Sequence, residues 1–244
     1  MRRLALLILL CGLAGSVWGQ MALPTLAPFS VADPGQPSPA WRLVGLPRNK
    51  APLTRIDVVQ QDGTRVLQLA ADASYATLVH ALPAQVPAAD ASLSWRWKLT
   101  QPLAQADLRT KAGDDVALKV CAMFDLPLEA LPLAQRSLMR LARVASSEPL
   151  PAATLCYVWD PQLTAGTLLP NAYTDRVRYL VLSGREAPLG QWQMQRRNLS
   201  TDFLQAFGAE SRAVPPVVAV VLGADADNTG GRSLGFVGDV LLQP

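Results

Sequence analysis

The sequence predicts one mostly β domain, an antiparallel β-sandwich carrying a helical insertion and one short extra helix. Three observations predict it. Short apolar runs recur along the chain with turn residues between them. Several of these runs alternate with period two, which puts one face of a strand toward a core. Twenty prolines among 244 residues favour many short connections over long helices.

The chain opens with Met1-Arg2-Arg3, an apolar run over Leu4–Leu13, and Val17-Trp18-Gly19. A charged start, a short apolar stretch and small residues at a cleavage point make a secretory leader over 1–19. The run is too short for a membrane span, and Leu10 before Cys11 argues against a lipid anchor. The expectation is an exported protein, periplasmic or secreted, with no transmembrane segment in the mature chain. Residues 20–40, rich in Pro, Ala and Ser, read as a flexible N-terminal segment. Residues 41–244 then form the single domain.

Its elements follow in order. Thr54–Gln60 and Thr64–Ala70 flank Gln61-Asp62-Gly63 and read as a hairpin. Ser74–His80 is the next strand. Ser92–Leu99 alternates fully: Leu93, Trp95, Trp97 and Leu99 share one face, and Ser94, Arg96 and Lys98 the other. Val116–Phe124, Thr154–Trp159, Val177–Ser183, Trp192–Asn198, Val217–Gly223 and Leu234–Leu242 complete about ten strands. Between Phe124 and Thr154 a helical insertion is expected at about 127–150. Its Glu129–Ser146 stretch carries an apolar stripe and Arg136, Arg140 and Arg143 at spacings of four and three. Ser200–Phe207, closed by Gly208, is the short helix.

Charge and residue counts exclude several functions. The leader takes two of the 22 Lys and Arg, which leaves a net charge of +1 against 19 acids. No nucleic-acid footprint is present. His80 is the lone histidine, so a His/Cys zinc site lacks ligands and a Ser-His-Asp triad lacks a recognisable nucleophile motif. Cys121 and Cys156 remain beyond the leader, each in a strand. They are either bridged between neighbouring strands or two buried thiols.

Polar chemistry concentrates in three loops: Thr110–Asp115, Pro170–Arg176 and Asp225–Arg232. The candidate ligand-binding residues are Lys111, Asp114, Asp115, Asn171, Tyr173, Asp175, Arg176, Asp225, Asp227, Asn228 and Arg232, with Trp159 as an aromatic at a strand end. Asp225-x-Asp227-x-Thr229-Gly230 imitates the start of a calcium loop, but Phe236 stands where the closing glutamate belongs. A calcium ion would need Asp225, Asp227 and a further oxygen such as Asp239. A structural turn, with Asp and Asn holding backbone amides, is the plainer reading. Facing carboxylates from different loops could serve a hydrolase, but no catalytic residue is assigned. Alternating strand directions place the first two loops at one end of the sandwich and the third at the other.

The motifs Ser94-Trp95-Arg96-Trp97, Thr110–Asp115, Tyr157-Val158-Trp159, Pro170–Arg176, Leu189-Gly190-Gln191-Trp192, Ala206-Phe207-Gly208, Asp225–Gly231 and Gly238-Asp239 occur in one order. In this the chain resembles a bacterial exported family catalogued as domain of unknown function 3047, over roughly Trp41–Leu242. The resemblance implies an exported domain without an assigned activity. The ending Gly238-Asp239-Val240-Leu241-Leu242 is also similar to the last strand of galactose-binding-like jelly rolls, which include carbohydrate-binding modules. That likeness implies a jelly-roll sandwich and a non-catalytic module for an envelope saccharide or similar polar ligand. The alternatives are an envelope interaction protein and a carboxylate-based hydrolase.

Overall fold

The computed structural model describes residues 25–89, 91–145 and 150–243; the leader expected over 1–19 lies outside them. Among the described residues thirteen strands form two packed sheets, antiparallel except for one parallel pair, an arrangement of jelly-roll type. One sheet joins β1 (Arg42–Val44), β4 (Tyr75–Val86), β11 (Val217–Asp225), β6 (Leu118–Phe124), β7 (Ala153–Trp159), β9 (Thr174–Ser183) and β8 (Leu168–Asn171), in that spatial order. The other joins β10 (Gln193–Asn198), β5 (Ser92–Gln101), β12 (Arg232–Val237), β3 (Thr64–Asp72) and β2 (Arg55–Gln61), with β13 (Leu241–Gln243) beside β5. The stretch expected as one strand over Leu234–Leu242 is thus two, broken at Gly238–Val240. Among the described residues no helix is long and apolar enough to cross a membrane.

The core between the sheets follows from strand alternation. Leu93, Trp95, Trp97 and Leu99 point inward and are buried. From the opposite sheet Tyr157 lies 5.3 Å from Trp95 and Trp159 lies 5.8 Å from Trp97, centroid to centroid. Helix α2 (Leu199–Phe207) closes one side with Phe203 and Phe207. Asn198 caps it by accepting from the Thr201 amide, so the cap stands two residues before the expected start at Ser200. Asp202 of α2 accepts from the Tyr157 hydroxyl and from Nε and Nη2 of Arg197.

The segment expected to be flexible is pinned over its described part. Leu26 and Phe29 are buried in the core. The amides of Phe29 and Ser30 both donate to Asp239 Oδ1, and the Ser30 hydroxyl donates to Oδ2. Two large apolar side chains in a Pro- and Ser-rich stretch are enough to anchor it, because a charged acceptor satisfies the amides that anchoring buries.

Between β6 and β7 lie a short 3-10 turn at Leu128–Ala130 and helix α1 (Leu133–Ala145). Arg136 does not project into solvent as part of a charged face. It donates to the carbonyls of Leu128, Glu129 and Leu131 and locks the turn to the helix. Leu133, Leu138, Leu141 and Val144 are exposed, while Met139 is buried.

Candidate functional site

The outward face of the seven-stranded sheet holds a groove of about 1350 Å³. Period-two alternation sets its floor. In β6 the residues Lys119, Cys121 and Met123 face it, while Leu118, Val120 and Ala122 face the core between the sheets. Val79 and Ala81 of β4, Ala219 and Val221 of β11, and Val177 of β9 continue the floor as an apolar strip. Cys121 and Cys156 are directly opposed in the β6–β7 ladder and are bridged, with Cα atoms 4.0 Å apart. Helix α1 contributes one wall through Met139, Ala142 and Arg143.

One end of this strip is polar, and all three loops meet there. Asp115 organises them. Its Oδ1 accepts from the amide and side chain of Asn228, and its Oδ2 from the amide and hydroxyl of Thr229. Asn228 also donates to the Asp114 carbonyl. Asn171 donates to Asp114 Oδ2 at 2.5 Å and to the Tyr179 hydroxyl at 2.9 Å. The Tyr173 hydroxyl lies 3.0 Å from the Lys111 carbonyl and 2.9 Å from Asn228 Oδ1 and donates to one of them at a time. Its ring is exposed, with the Lys111 ammonium 5.3 Å from the centroid.

This meeting corrects the placement expected from alternating strands. β6 and β11 are antiparallel neighbours, so the start of one adjoins the end of the other, and the first and third loops share an end. The second loop sets out from the opposite end of the sheet, because β9 runs parallel to β7. The extra strand β8 reverses the count. The tip of the β8–β9 hairpin nevertheless reaches the other two loops through Asn171 and Tyr173.

Beneath the loops lies a charge pair that sequence reasoning missed. Lys119 donates to Asp225 Oδ1 at 2.5 Å, and both side chains are less than a tenth exposed. Lys119 reaches it by lying across Gly223, its partner in the ladder. A Cβ there would stand 3.0 Å from Lys119 Cε and 2.8 Å from Thr77 Cγ2. The one available signal was a lysine inside an otherwise apolar strand. Burial, together with the neighbouring Asp115 and Asp114, pushes Asp225 up to about 6 even though Lys119 pulls it down. Burial pulls Lys119 down, but Asp225, Tyr75 and Tyr179 together outweigh it and hold the ammonium above its ordinary value. Burial also raises Asp114 and Asp227.

Asp115, Asp225 and Asp227 offer oxygens within 4.8 Å of one another. Asp239, expected as a third calcium ligand with Asp225 and Asp227, is instead occupied by Phe29 and Ser30. Asp115 has four donors and Asp225 has the Lys119 ammonium, so the cluster carries an internal cation where a bound one would sit.

Other expected residues fall elsewhere. Trp159 is buried against Trp97 and offers no stacking surface, because its period-two position faces the core. Asp175 is exposed and does not line the groove. Arg232 pairs with Asp72 at 3.0 Å on the exposed surface. Arg176 lies toward the far end of the groove, where it donates to Glu210 and to the Ala152 carbonyl. Trp192 belongs to the other sheet's surface, covered by Arg96 and Lys98 and donating to Asp62.

The fold defines a class, a two-sheet sandwich of jelly-roll type with a groove on its larger sheet. Within that class the chain belongs to the family described as protein of unknown function, DUF3047, whose model matches residues 39–241. No curated protein matches it. Among solved structures it is similar to TmCBM61 in complex with β-1,4-galactotriose, at 12% identity and TM-score 0.33, covering 84% of this chain and 88% of that one. It is also similar to a family 12 xyloglucanase from Bacillus licheniformis, at 8% identity and TM-score 0.47, covering 91% and 99%. The endoglucanase 3 of Trichoderma harzianum, from family GH12, gives 10% identity and TM-score 0.43 over 85% and 99%. These are likenesses of overall fold, and nothing about this chain's ligand follows from them.

Proposed function

We propose that the protein is an exported, non-catalytic binding module whose ligand lies along the groove of the seven-stranded sheet, with its polar end at the three-loop cluster. The observation that carries this reading is the convergence of Asp114, Asp225, Asn171, Tyr173 and Asn228 at one end of a preformed groove. Hydrogen bonds among Asp114, Asn171, Tyr173 and Asn228, and that of Lys119 to Asp225, fix these groups in place before any ligand arrives, which lowers the ordering cost of binding. The carboxylates gather on one side, and Asp115 and Asp225 are held by partners of their own. That arrangement suits recognition better than an acid and base facing each other across a scissile bond. The Cys121–Cys156 bridge and the leader-like start support an oxidising compartment.

An envelope saccharide is the second reading, favoured by the exposed Tyr173 ring beside Lys111. A thermal melt of the protein against envelope saccharides and apolar-tailed ligands, with calcium or chelator, tests both readings. A ligand at about 100 times its Kd adds roughly 2.7 kcal/mol, a rise of several degrees for a domain of this size. The rise is expected to shrink in Tyr173→Ala and Asp114→Asn. A ligand whose effect survives both changes would place binding elsewhere. A fall on adding chelator would add a metal to the site.

A further inference from the structure

The floor of the groove is the face of a sheet, and its backbone groups are spent in the ladders on either side. What it presents is mostly aliphatic and sulfur surface, Val79, Val221, Ala219, Met123, Val177 and the disulfide, with Thr77 and Thr154 as its hydroxyls. Beyond those two hydroxyls, peptide amides or sugar hydroxyls would find no side-chain partners along this strip, and burying them unpaired is costly. A hydrocarbon chain asks for none. From Lys119 to Asp125 the strip runs six residues along β6, about 20 Å at the strand rise.

The polar end has a definite sign. Asp114, Asp115, Asp225 and Asp227 surround one buried cation, Lys119. Asp114 is 5% exposed, and its Oδ1 is buried with no hydrogen-bond partner. Asp227 Oδ1 is likewise without a partner. Acceptors left empty beside excess negative charge call for a donor that is also a cation. At the far end Arg176, 7% exposed and paired with Glu210, keeps an unpartnered Nη2, a donor left empty rather than an acceptor.

We infer, resting on the groove as the binding site, that its ligand is an amphiphile whose ammonium head lies at Asp114 and Asp227 and whose hydrocarbon chain runs along the floor past Met123 toward Arg176.

Calorimetry on the purified chain tests this with dodecylammonium, dodecanoate, butylammonium and β-1,4-galactotriose, each below any micelle-forming concentration. Dodecylammonium is expected to bind at least tenfold more tightly than either dodecanoate or butylammonium. Met123→Arg, at a half-exposed floor position, is expected to abolish that binding, Met123→Leu to retain it, and Asp114→Asn to weaken it about tenfold. Equal or tighter binding of dodecanoate overturns the inference, as does dodecylammonium binding that Met123→Arg leaves unchanged. Binding of the galactotriose that Tyr173→Ala abolishes, with no amine binding, keeps the groove as the site but removes the amphiphile. Binding of no probe, or only at sites these changes do not affect, removes both.

Discussion

A lysine ammonium taken out of water is tolerable only beside a charge that compensates it, and Lys119 meets Asp225 at 2.5 Å with both nearly buried. Removing one partner strands the other. Lys119→Met is therefore expected to cost about 3–5 kcal/mol in chemical denaturation, and Lys119→Met with Asp225→Asn to recover part of it. Equal stability of the single variant and the parent would mean that the pair is not formed. The carboxyls here also give a sign for pH. Asp225 sits near 6 in the fold, above its ordinary value, and Asp114 and Asp227 are raised as well. A carboxyl raised on folding favours the folded state when protonated. That contribution is full below the unfolded value of about 4 and is lost as pH rises through about 6. Lys119 stays charged throughout this range. The melting temperature is expected to hold or rise as pH falls from 7 to 5, where a fold resting on paired surface carboxylates would weaken. A steep fall starting at pH 6 would contradict the assignment. The members of the polar end were legible in the sequence as loop residues, but their cation was not. A lysine inside an otherwise apolar strand was the one local hint, and its partner lies 106 positions away.

At the scale of elements, strand alternation was the dependable signal. Leu93, Trp95, Trp97 and Leu99 share the core face because period two leaves no choice. What failed was counting. The strand β8 is only Leu168–Asn171 and includes a proline, so no alternating run announces it. Missing it reverses the direction expected for β9, and with it the relation between loops. Trp159 was misread for a related reason, since a strand end can still be core when the loops beyond it fold over. The ladders on the two sides of β6 carry a test each. Cys121 and Cys156 close a loop of 35 residues, so Cys121→Ala with Cys156→Ala is expected to lower stability by about 4 kcal/mol. No loss on reduction or substitution would mean that the bridge does not form. Gly223→Val should push Lys119 off Asp225, at a cost of roughly 1–3 kcal/mol from crowding alone. Unchanged stability would show that Lys119 does not need the space above Gly223.

For the molecule as a whole, the two-sheet architecture, the insertion between β6 and β7 and the family resemblance could all be read from residues. The groove could not. It depends on which face of a curled sheet is left open, on α1 standing as a wall, and on a hairpin tip reaching loops from the far end of its own strand. Those are long-range facts with no periodic signature. The N-terminal segment is another, because Asp239 anchors Phe29 and Ser30 across some two hundred positions.

The central claim is that ligand occupies the groove, and methyl-resolved NMR titration with dodecylammonium tests it most directly. The account predicts shifts concentrated at Val79, Met123, Val177 and Val221, with the exposed methyls of Leu133 and Leu138 on α1 unmoved. Shifts confined to α1 or to the Trp192 surface, with the floor methyls silent, would contradict it.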